Sequence, residues 1–546
     1  MDKILTNVNR AERLRKSTQT QYDLIVIGGG ITGAGIALDA TLRGIKTLLI
    51  EKKDFASGTS SKSTKLIHGG LRYLKQFEFG IVRETGLERA VAHNNIPHLV
   101  HPEKMLLPIV KKGSFSKWSA SLAISVYDRL AAVREKDRKK VLSRSEALES
   151  EPILNPQLLK SAIAYSEYRT DDARLTIETI KAACREGAEA FNYLELDSFL
   201  YHNEKIVGVK CLDHTTKGFL LFKCTQVVSA AGPWVDKLRD IDGSKKGDTL
   251  HLTKGVHIVV PHEKLPVKSA VYFDAFDSRM LFAIPRGKIT YIGTSDTNFT
   301  KDMNRILCTK KDAQYIIDKV NRMFEMPDLK LEDIISTWAG LRPLISAEGK
   351  SNSELSRKDE IFESPSNLIS IAGGKLTGFR KMAERVVDLI IEKNDTFPEK
   401  ESLTKKYKIH SDSFVNYEAY QSLKSSLTEK YKSRGISSYD VWYLLTTFGK
   451  HAISIIENAL LSDLPLEQAL MQEEIQYSIK FESSLEPDDY FNRRSGRIYF
   501  DIASVKNNLD FILSQFKDAF SWDQEKLTAS KAACQSLIDD VSVIKD

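Results

Sequence analysis

The chain has 546 residues, of which 42% are hydrophobic and 28% charged, a composition typical of globular proteins with two or three domains. Its 79 basic residues are nearly balanced by 73 acidic ones, so the net charge of +6 does not indicate nucleic-acid binding, although it suits acidic ligands or an anionic membrane surface. Five cysteines without a C-x-x-C pair and eleven histidines without ligand spacing predict neither a disulfide framework nor a metal site.

The first twenty residues are polar and lack the charged-then-apolar pattern of a signal peptide, so we expect a short helix or arm there. No stretch of the chain approaches the about 20 uninterrupted apolar residues that span a bilayer. We therefore expect a cytoplasmic protein whose contact with a membrane, if any, is peripheral.

A strand, a glycine-rich turn, a helix and a second strand are predicted in this order. The apolar runs at 23–28 and 46–51 are typical of buried parallel strands, and residues 36–43 read as the helix between them. Together they form one βαβ unit.

The turn carries the Gly-x-Gly-x-x-Gly spacing of dinucleotide-binding proteins. Gly28 permits the tight turn, Gly30 lets the backbone approach a pyrophosphate, and Gly33 lets the helix pack closely on the strand. The helix N-terminus then offers free N–H groups to the phosphates. Glu51 ends the second strand, where an acid accepts from a ribose hydroxyl and disfavours the 2′-phosphate of NADP. The motif alone leaves FAD and NAD open.

Two later segments favour FAD. Residues 227–234 and 369–377 each form an apolar strand that ends in glycine and other small residues. A sheet whose strands return from distant parts of the chain is typical of flavoproteins, whereas an NAD domain usually completes its sheet locally.

The remaining elements predict a second sheet and a helical tail. Short apolar runs between 250 and 300, separated by turn residues, indicate an antiparallel sheet. Further predictions are a mostly loop segment at 55–72, helices at 116–133, 171–185 and 379–391, a hairpin at 207–223, a strand at 225–231, a linker at 394–404, and tail helices at 417–434, 439–448, 452–462, 465–480 and 507–520.

Seven motifs in this order resemble the FAD-dependent glycerol-3-phosphate dehydrogenase family between about residues 22 and 390. They are IGGGITGAG (27–35), TSSKSTKLIHGGLRY (59–73), YRTDDAR (168–174), AGPWV (231–235), IGTSD (292–296), AGLRP (339–343) and GGKLT (373–377). One departure is Ser295, where the family has a second threonine; the hydroxyl is kept.

The resemblance implies an α/β and α+β protein with a glutathione-reductase-like, Rossmann-type FAD domain, an antiparallel-sheet substrate domain and a helical C-terminal cap. The predicted FAD domain comprises 1–95, about 165–240 and 335–393. The substrate domain comprises about 96–164 and 241–334, and the cap comprises 405–546.

The resemblance also implies oxidation of sn-glycerol 3-phosphate to dihydroxyacetone phosphate, with hydride passed to flavin N5 and electrons passed on to a membrane quinone. A homodimer is left open. The residues predicted to bind FAD are Gly28, Gly30, Gly33, Glu51, Thr59, Ser60, Ser61, Gly232, Gly374, Lys375, Leu376 and Thr377.

Alcohol oxidation requires a base for the hydroxyl proton, and histidine suits that task near neutral pH. His68, which precedes two glycines in the 59–73 motif, is the candidate base. The alternative is that His68 has only a structural role. Lys375 is expected near the flavin pyrimidine, where a cation would stabilise the reduced, anionic flavin. Tyr73 is expected either to wall the substrate pocket or to pack in the core.

A phosphate dianion requires fixed cationic donors, which arginine supplies as a bidentate fork. Arg72, Arg342 and Arg357 are the candidates. Arg342 is preferred because it lies in the Gly-Leu-Arg-Pro motif, which we expect to form a turn. The alternative for each arginine is an ordinary surface charge.

Three other functions are open. An oxidase would return electrons to O₂ and release hydrogen peroxide, but oxidases of this kind carry an added segment where residues 344–357 are short. A non-catalytic FAD-binding redox protein or an amino-acid oxidase would need no phosphate clamp, and the presence of His68, Arg72 and Arg342 argues against both.

A peripheral membrane contact is a further hypothesis. The apolar segments 105–110 and 118–130 are flanked by lysines and arginines, among them Lys139 and Lys140. An apolar stripe edged by basic residues binds an anionic lipid interface, where a quinone acceptor would be found. The alternative is a helix that packs its stripe on the core.

Overall fold

The computed structural model describes residues 5–69, 79–114, 139–346, 359–410, 412 and 414–546. The strands are β1 (Gln21–Ile27), β2 (Thr47–Ile50), β3 (Leu66–Ile67), β4 (His101–Val110), β5 (Lys140–Leu142), β6 (Leu159–Arg169), β7 (Glu189–Phe191), β8 (Leu194–His202), β9 (Lys205–Asp213), β10 (Phe219–Ser229), β11 (Thr249–Pro261), β12 (Ala270–Asp274), β13 (Met280–Arg286), β14 (Ile289–Gly293), β15 (Thr297–Asn298), β16 (Ser336–Ser346), β17 (Asp359–Glu363) and β18 (Leu368–Gly373).

The α-helices are α1 (Arg10–Thr18), α2 (Ile31–Leu42), α3 (Phe79–Asn95), α4 (Arg144–Ser150), α5 (Asp172–Arg185), α6 (Val235–Ile241), α7 (Lys310–Met323), α8 (Phe379–Glu392), α9 (Tyr417–Lys432), α10 (Ser438–Phe448), α11 (Ala452–Ala459), α12 (Leu466–Phe481), α13 (Arg497–Phe500), α14 (Ile502–Asn507), α15 (Leu509–Phe520) and α16 (Gln524–Ser542).

The first sheet has the discontinuous topology that the sequence predicts for a flavoprotein. Its strand order is β17-β18-β10-β1-β2-β7, with β9 and then β8 added beside β10. β1 pairs in parallel with its chain neighbour β2 on one side and with the distant β10 on the other. Strand β10 contains parts of two predicted elements, the hairpin at 207–223 and the strand at 225–231. Its first half pairs with β9 in the hairpin, and its second half is the buried strand that pairs with β1.

The second sheet has ten strands and is largely antiparallel, with one parallel pair between β4 and β12. β16 pairs with β11 along its whole length, from Ser336 to Ser346. This pairing corrects one prediction, because Arg342 lies within a strand rather than in a turn. Residues 336–346 belong to the second sheet, and the domain boundaries stay predictions.

The C-terminal helices pack on the second sheet, and this completes the predicted fold class. One hydrophobic core joins Trp338 and Tyr291 of that sheet to Tyr499, Phe516 and Ile538 of the tail. The tail is more helical than predicted, because α16, a 19-residue helix, follows the last helix that the sequence indicated.

None of the helices in the described ranges is long and apolar enough to cross a membrane. Residues 105–110, predicted to touch lipid, form the buried second half of β4. That part of the membrane hypothesis is wrong, since an apolar run in the middle of a sheet serves the core. The helix predicted at 116–133 lies outside the described residues.

Candidate active site

The βαβ unit brings the three predicted glycines together where β1 meets α2. Gly28 has φ +114°, and a Cβ there would lie 2.6 Å from the carbonyl oxygen of Ala230 on the neighbouring chain segment. A Cβ on Gly33 would lie 1.9 Å from the carbonyl oxygen of Gly28, so α2 packs directly against the turn. A Cβ on Gly30 would approach only the side chain of Ser60, whose hydroxyl would lie 3.0 Å away. The glycine therefore leaves open space in front of the N-terminus of α2.

Polar groups surround that N-terminus. The amide of Ile31 donates a hydrogen bond to Ser60 Oγ at 2.9 Å. The carboxylate of Glu51 accepts from the amide of Gly29 at 2.7 Å and from the amide of Lys53 at 3.0 Å. Burial raises the pKa of Glu51, and the two backbone donors oppose that shift. A helix N-terminus, a hydroxyl and an acid beside a glycine turn fit the pyrophosphate and ribose of a dinucleotide.

A cavity of about 1600 Å³ extends from this turn across the molecule. The predicted cofactor residues that line it are Gly28, Gly30, Glu51, Thr59, Ser60, Gly232, Gly374, Lys375 and Leu376. The volume is ample for FAD, and the ends of β1, β10 and β18 all open into it. Gly33 and Ser61 lie behind the wall in packed positions.

His68 and Thr377 form a second junction. The amide of His68 donates to Thr377 Oγ1 at 3.1 Å, and the same hydroxyl donates to the carbonyl of His68 at 3.0 Å. Lys375 Nζ lies 3.5 Å from the carbonyl oxygen of Gly69. The 59–73 and 373–377 motifs therefore contact each other next to Gly374, Lys375 and Leu376 of the cavity wall. His68 and Thr377 are not themselves among the residues that line the cavity.

Arg342 extends across the neighbouring strand. A Cβ on Gly255 of β11 would lie 2.4 Å from Arg342 Nη2, so only glycine leaves room for the guanidinium there. That group donates to Thr294 Oγ1 at 2.8 Å and to the carbonyl of Ser295 at 3.2 Å, and it forms an ion pair with Asp296 at 3.1 Å. The 292–296 and 339–343 motifs thus contact each other through the side chain of Arg342. Its role in phosphate binding stays a prediction.

Arg72, Tyr73 and Arg357 lie outside the described residues, so their predicted roles stay predictions. Among the described residues, no group of three or more histidine, cysteine, aspartate or glutamate side chains is placed to hold a metal ion.

The structure also adds residues that sequence reasoning missed. Lys62 lines the cavity two positions after Ser60, and its place inside the 59–73 motif was an available signal. Trp338 lines it from β16. Arg493 and Lys526 line it from the helical tail, more than 400 residues from the glycine turn in sequence. No local sequence pattern predicts contacts over such a distance.

Comparisons with known proteins agree with this geometry. A family model described as "FAD dependent oxidoreductase" matches residues 23–380, and one described as "C-terminal domain of alpha-glycerophosphate oxidase" matches residues 402–527. The chain is 44% identical to the "Aerobic glycerol-3-phosphate dehydrogenase" of Staphylococcus aureus (strain USA300), over 95% of both chains.

Two solved structures are similar. The glycerol-3-phosphate dehydrogenase from Bacillus halodurans complexed with FAD superposes with a TM-score of 0.84, at 38% identity and 99% coverage of both chains. L-alpha-glycerophosphate oxidase from Mycoplasma pneumoniae with FAD bound gives a TM-score of 0.55 at 17% identity, over 71% of this chain and 98% of that one. The second likeness shows the fold alone.

Proposed function

We propose that this chain, which belongs to the FAD-dependent glycerol-3-phosphate dehydrogenase family, oxidises sn-glycerol 3-phosphate to dihydroxyacetone phosphate with FAD as cofactor. The observation that carries the proposal is the large cavity lined by the glycine turn, Glu51 and the segment from Gly374 to Leu376, next to which Thr377 holds the backbone of His68. This arrangement occurs in a chain whose relatives of that name match it over nearly their whole length.

Bound FAD supplies the two-electron acceptor. His68 is proposed to take the hydroxyl proton of the substrate, and its backbone is fixed for that purpose by Thr377. Arg342 is proposed to bind the phosphate: Thr294 and Asp296 hold its guanidinium in one orientation, and a fixed fork loses little freedom when it binds an anion. Lys375 is proposed to place positive charge at the flavin end of the cavity.

The test is an anaerobic titration of the purified yellow protein. Glycerol 3-phosphate should bleach the flavin absorbance at about one equivalent, whereas glycerol at the same concentration should leave it unchanged. Bleaching by both alcohols would remove the phosphate from the proposal, and bleaching by neither would refute it.

We further propose that electrons pass to a membrane quinone and that the protein contacts an anionic membrane peripherally. The support is the family resemblance and the basic residues near 140, of which Lys140 is exposed in the structure. Sedimentation with anionic vesicles that weakens with salt, and drops when Lys139 and Lys140 become Glu, is the expected result. Absence of sedimentation with anionic and neutral vesicles at any salt concentration would refute the contact.

The oxidase reading is favoured by one observation, the match of residues 402–527 to a domain described for alpha-glycerophosphate oxidase. The yield of peroxide in air, compared with the rate of reduction of a soluble quinone analogue, distinguishes an oxidase from a dehydrogenase. A dehydrogenase should give little peroxide and reduce the quinone rapidly.

A further inference from the structure

Lys62 is held at the cavity wall by residues from two other parts of the chain. It follows the short helix Thr59–Ser61, and its ammonium group donates a hydrogen bond to the phenolic oxygen of Tyr499. The same nitrogen lies 4.7 Å from the centroid of the Tyr499 ring. A Cβ on Gly340 would lie 2.5 Å from Lys62 Cβ, so β16 passes closely under the lysine. The side chain therefore has a fixed position that faces the cavity.

Lys62 differs from Lys65 and Arg493, the two cations that act on its charge, because no carboxylate in the described part of the chain forms an ion pair with it. Lys65 pairs with Asp172, and Arg493 pairs with Asp54. Lys526, which lines the same cavity, pairs with Glu486.

The groups around Lys62 do not supply the missing negative charge. Burial raises the pKa of Tyr499 to about 12, so its phenol is neutral at physiological pH. Arg493 and Lys65 add positive charge, and Asp172 is already engaged by Lys65. Burial, with Arg493 and Lys65, lowers the pKa of Lys62 to about 7. An unpaired cation in such a place is costly unless an anion binds against it.

We infer that Lys62 is a cofactor-facing cation whose ammonium group neutralises negative charge on bound FAD, and that Tyr499 of the C-terminal helices holds it in position. The inference rests on the FAD cofactor of the proposed function. FAD carries negative charge on its pyrophosphate at all times and on its flavin when reduced, and the experiment distinguishes the two.

The first measurement is the dissociation constant of FAD from Lys62→Met, obtained from the fluorescence of FAD released on dilution. If the lysine faces the pyrophosphate, FAD should bind about 10–100 times more weakly, the usual effect of losing a charge-assisted contact. If it faces the flavin, the affinity for oxidised FAD should change little, and the midpoint potential should fall because the reduced anion loses its stabilising charge.

Matched variants separate charge from packing. Lys62→Arg keeps the charge and should restore both quantities towards the wild-type values. Lys531→Met removes a lysine of α16 that pairs with Asp510 on the surface and does not line the cavity, and it should leave both unchanged. Tyr499→Phe should shift the affected quantity in the same direction as Lys62→Met but by less, since only the hydroxyl that positions the ammonium group is lost.

The pH dependence is a readout that packing alone would not give. An anion that binds protonated Lys62 should bind the wild-type protein progressively more weakly as the pH rises above about 7, approaching about tenfold per pH unit. The Lys62→Met protein should lack this dependence.

Thermal unfolding of each variant reports whether it is folded. If Lys62→Met does not fold, Tyr499→Phe and the wild-type pH profile decide the question. Unchanged FAD affinity and midpoint potential in a folded Lys62→Met protein would overturn the inference. Bleaching of the wild-type flavin by glycerol 3-phosphate tests the proposed function separately.

Discussion

Asp54 fixes the C-terminal helices to the turn that follows Glu51, and replacing it with asparagine tests that attachment. The carboxylate accepts from Arg494 at 2.6 and 2.8 Å and from Arg493 at 2.5 Å, and Asn192 donates to it at 2.9 Å. Asp54 and Arg494 are fully buried, and Asp54 is the only carboxylate in the described ranges that pairs with Arg494. Asparagine keeps the shape but leaves a buried guanidinium unpaired, which costs about 3–5 kcal/mol.

The assay is urea unfolding at saturating FAD, followed by tryptophan fluorescence and by release of the flavin. Asp510→Asn is the matched control, because Asp510 pairs with Lys531 on the surface, where such a pair contributes about 0–1 kcal/mol. We expect the loss at Asp54 to exceed the control by at least about 2 kcal/mol. Equal losses would show that the buried cluster does not hold the domains together.

The same variant has a defined pH dependence. Burial opposes ionisation of Asp54, but Arg494 and Arg493 outweigh it and hold the pKa of that carboxyl well below its usual range. A depressed pKa contributes stability that is present above the unfolded value of about 3.9 and is lost as the pH falls below it. The difference between wild type and Asp54→Asn should therefore shrink below about pH 4.

Three further substitutions test the cavity. Gly33→Ala would place a Cβ 1.9 Å from the Gly28 carbonyl oxygen, so we expect α2 to shift and most FAD to be lost; a normal flavin-to-protein absorbance ratio would contradict this. Arg342→Ala should weaken glycerol 3-phosphate binding by about 1.5–3 kcal/mol with FAD retained, and equal losses on glycerol would exclude a phosphate role. His68→Asn should slow stopped-flow flavin reduction by about 10²–10⁴-fold, and a rate near wild type would indicate another base.

The βαβ unit was predictable because its signals are local. The apolar runs, the glycine spacing and the acid all lie within 30 residues, and the structure places β1, α2 and β2 accordingly, with α2 beginning five residues earlier than predicted. Arg342 was misplaced for a related reason. A glycine and a proline beside an arginine suggest a turn locally, whereas β16 is fixed by its eleven-residue pairing with β11.

Charge networks between distant segments could not be predicted in the same way. Arg174 pairs with Glu482 at 2.7 Å, across 308 residues of sequence, and Asp54 pairs with Arg494 across 440. Each partner alone reads as an ordinary surface charge, because burial of a charged side chain depends on tertiary contacts that periodicity does not encode. Residue type indicated chemistry at His68, but only the fold showed that Thr377 fixes its backbone.

The helical tail forms part of the wall of the large cavity. The family model for this region ends at residue 527, yet Ala533, Leu537 and Val541 of α16 line the cavity. Two buried ion pairs, Arg174–Glu482 and Asp54–Arg494, attach the tail to the first half of the chain. Separating a buried pair is costly because it leaves two buried charges without partners. The tail that contributes this wall is therefore fixed by the same buried contacts that stabilise the fold.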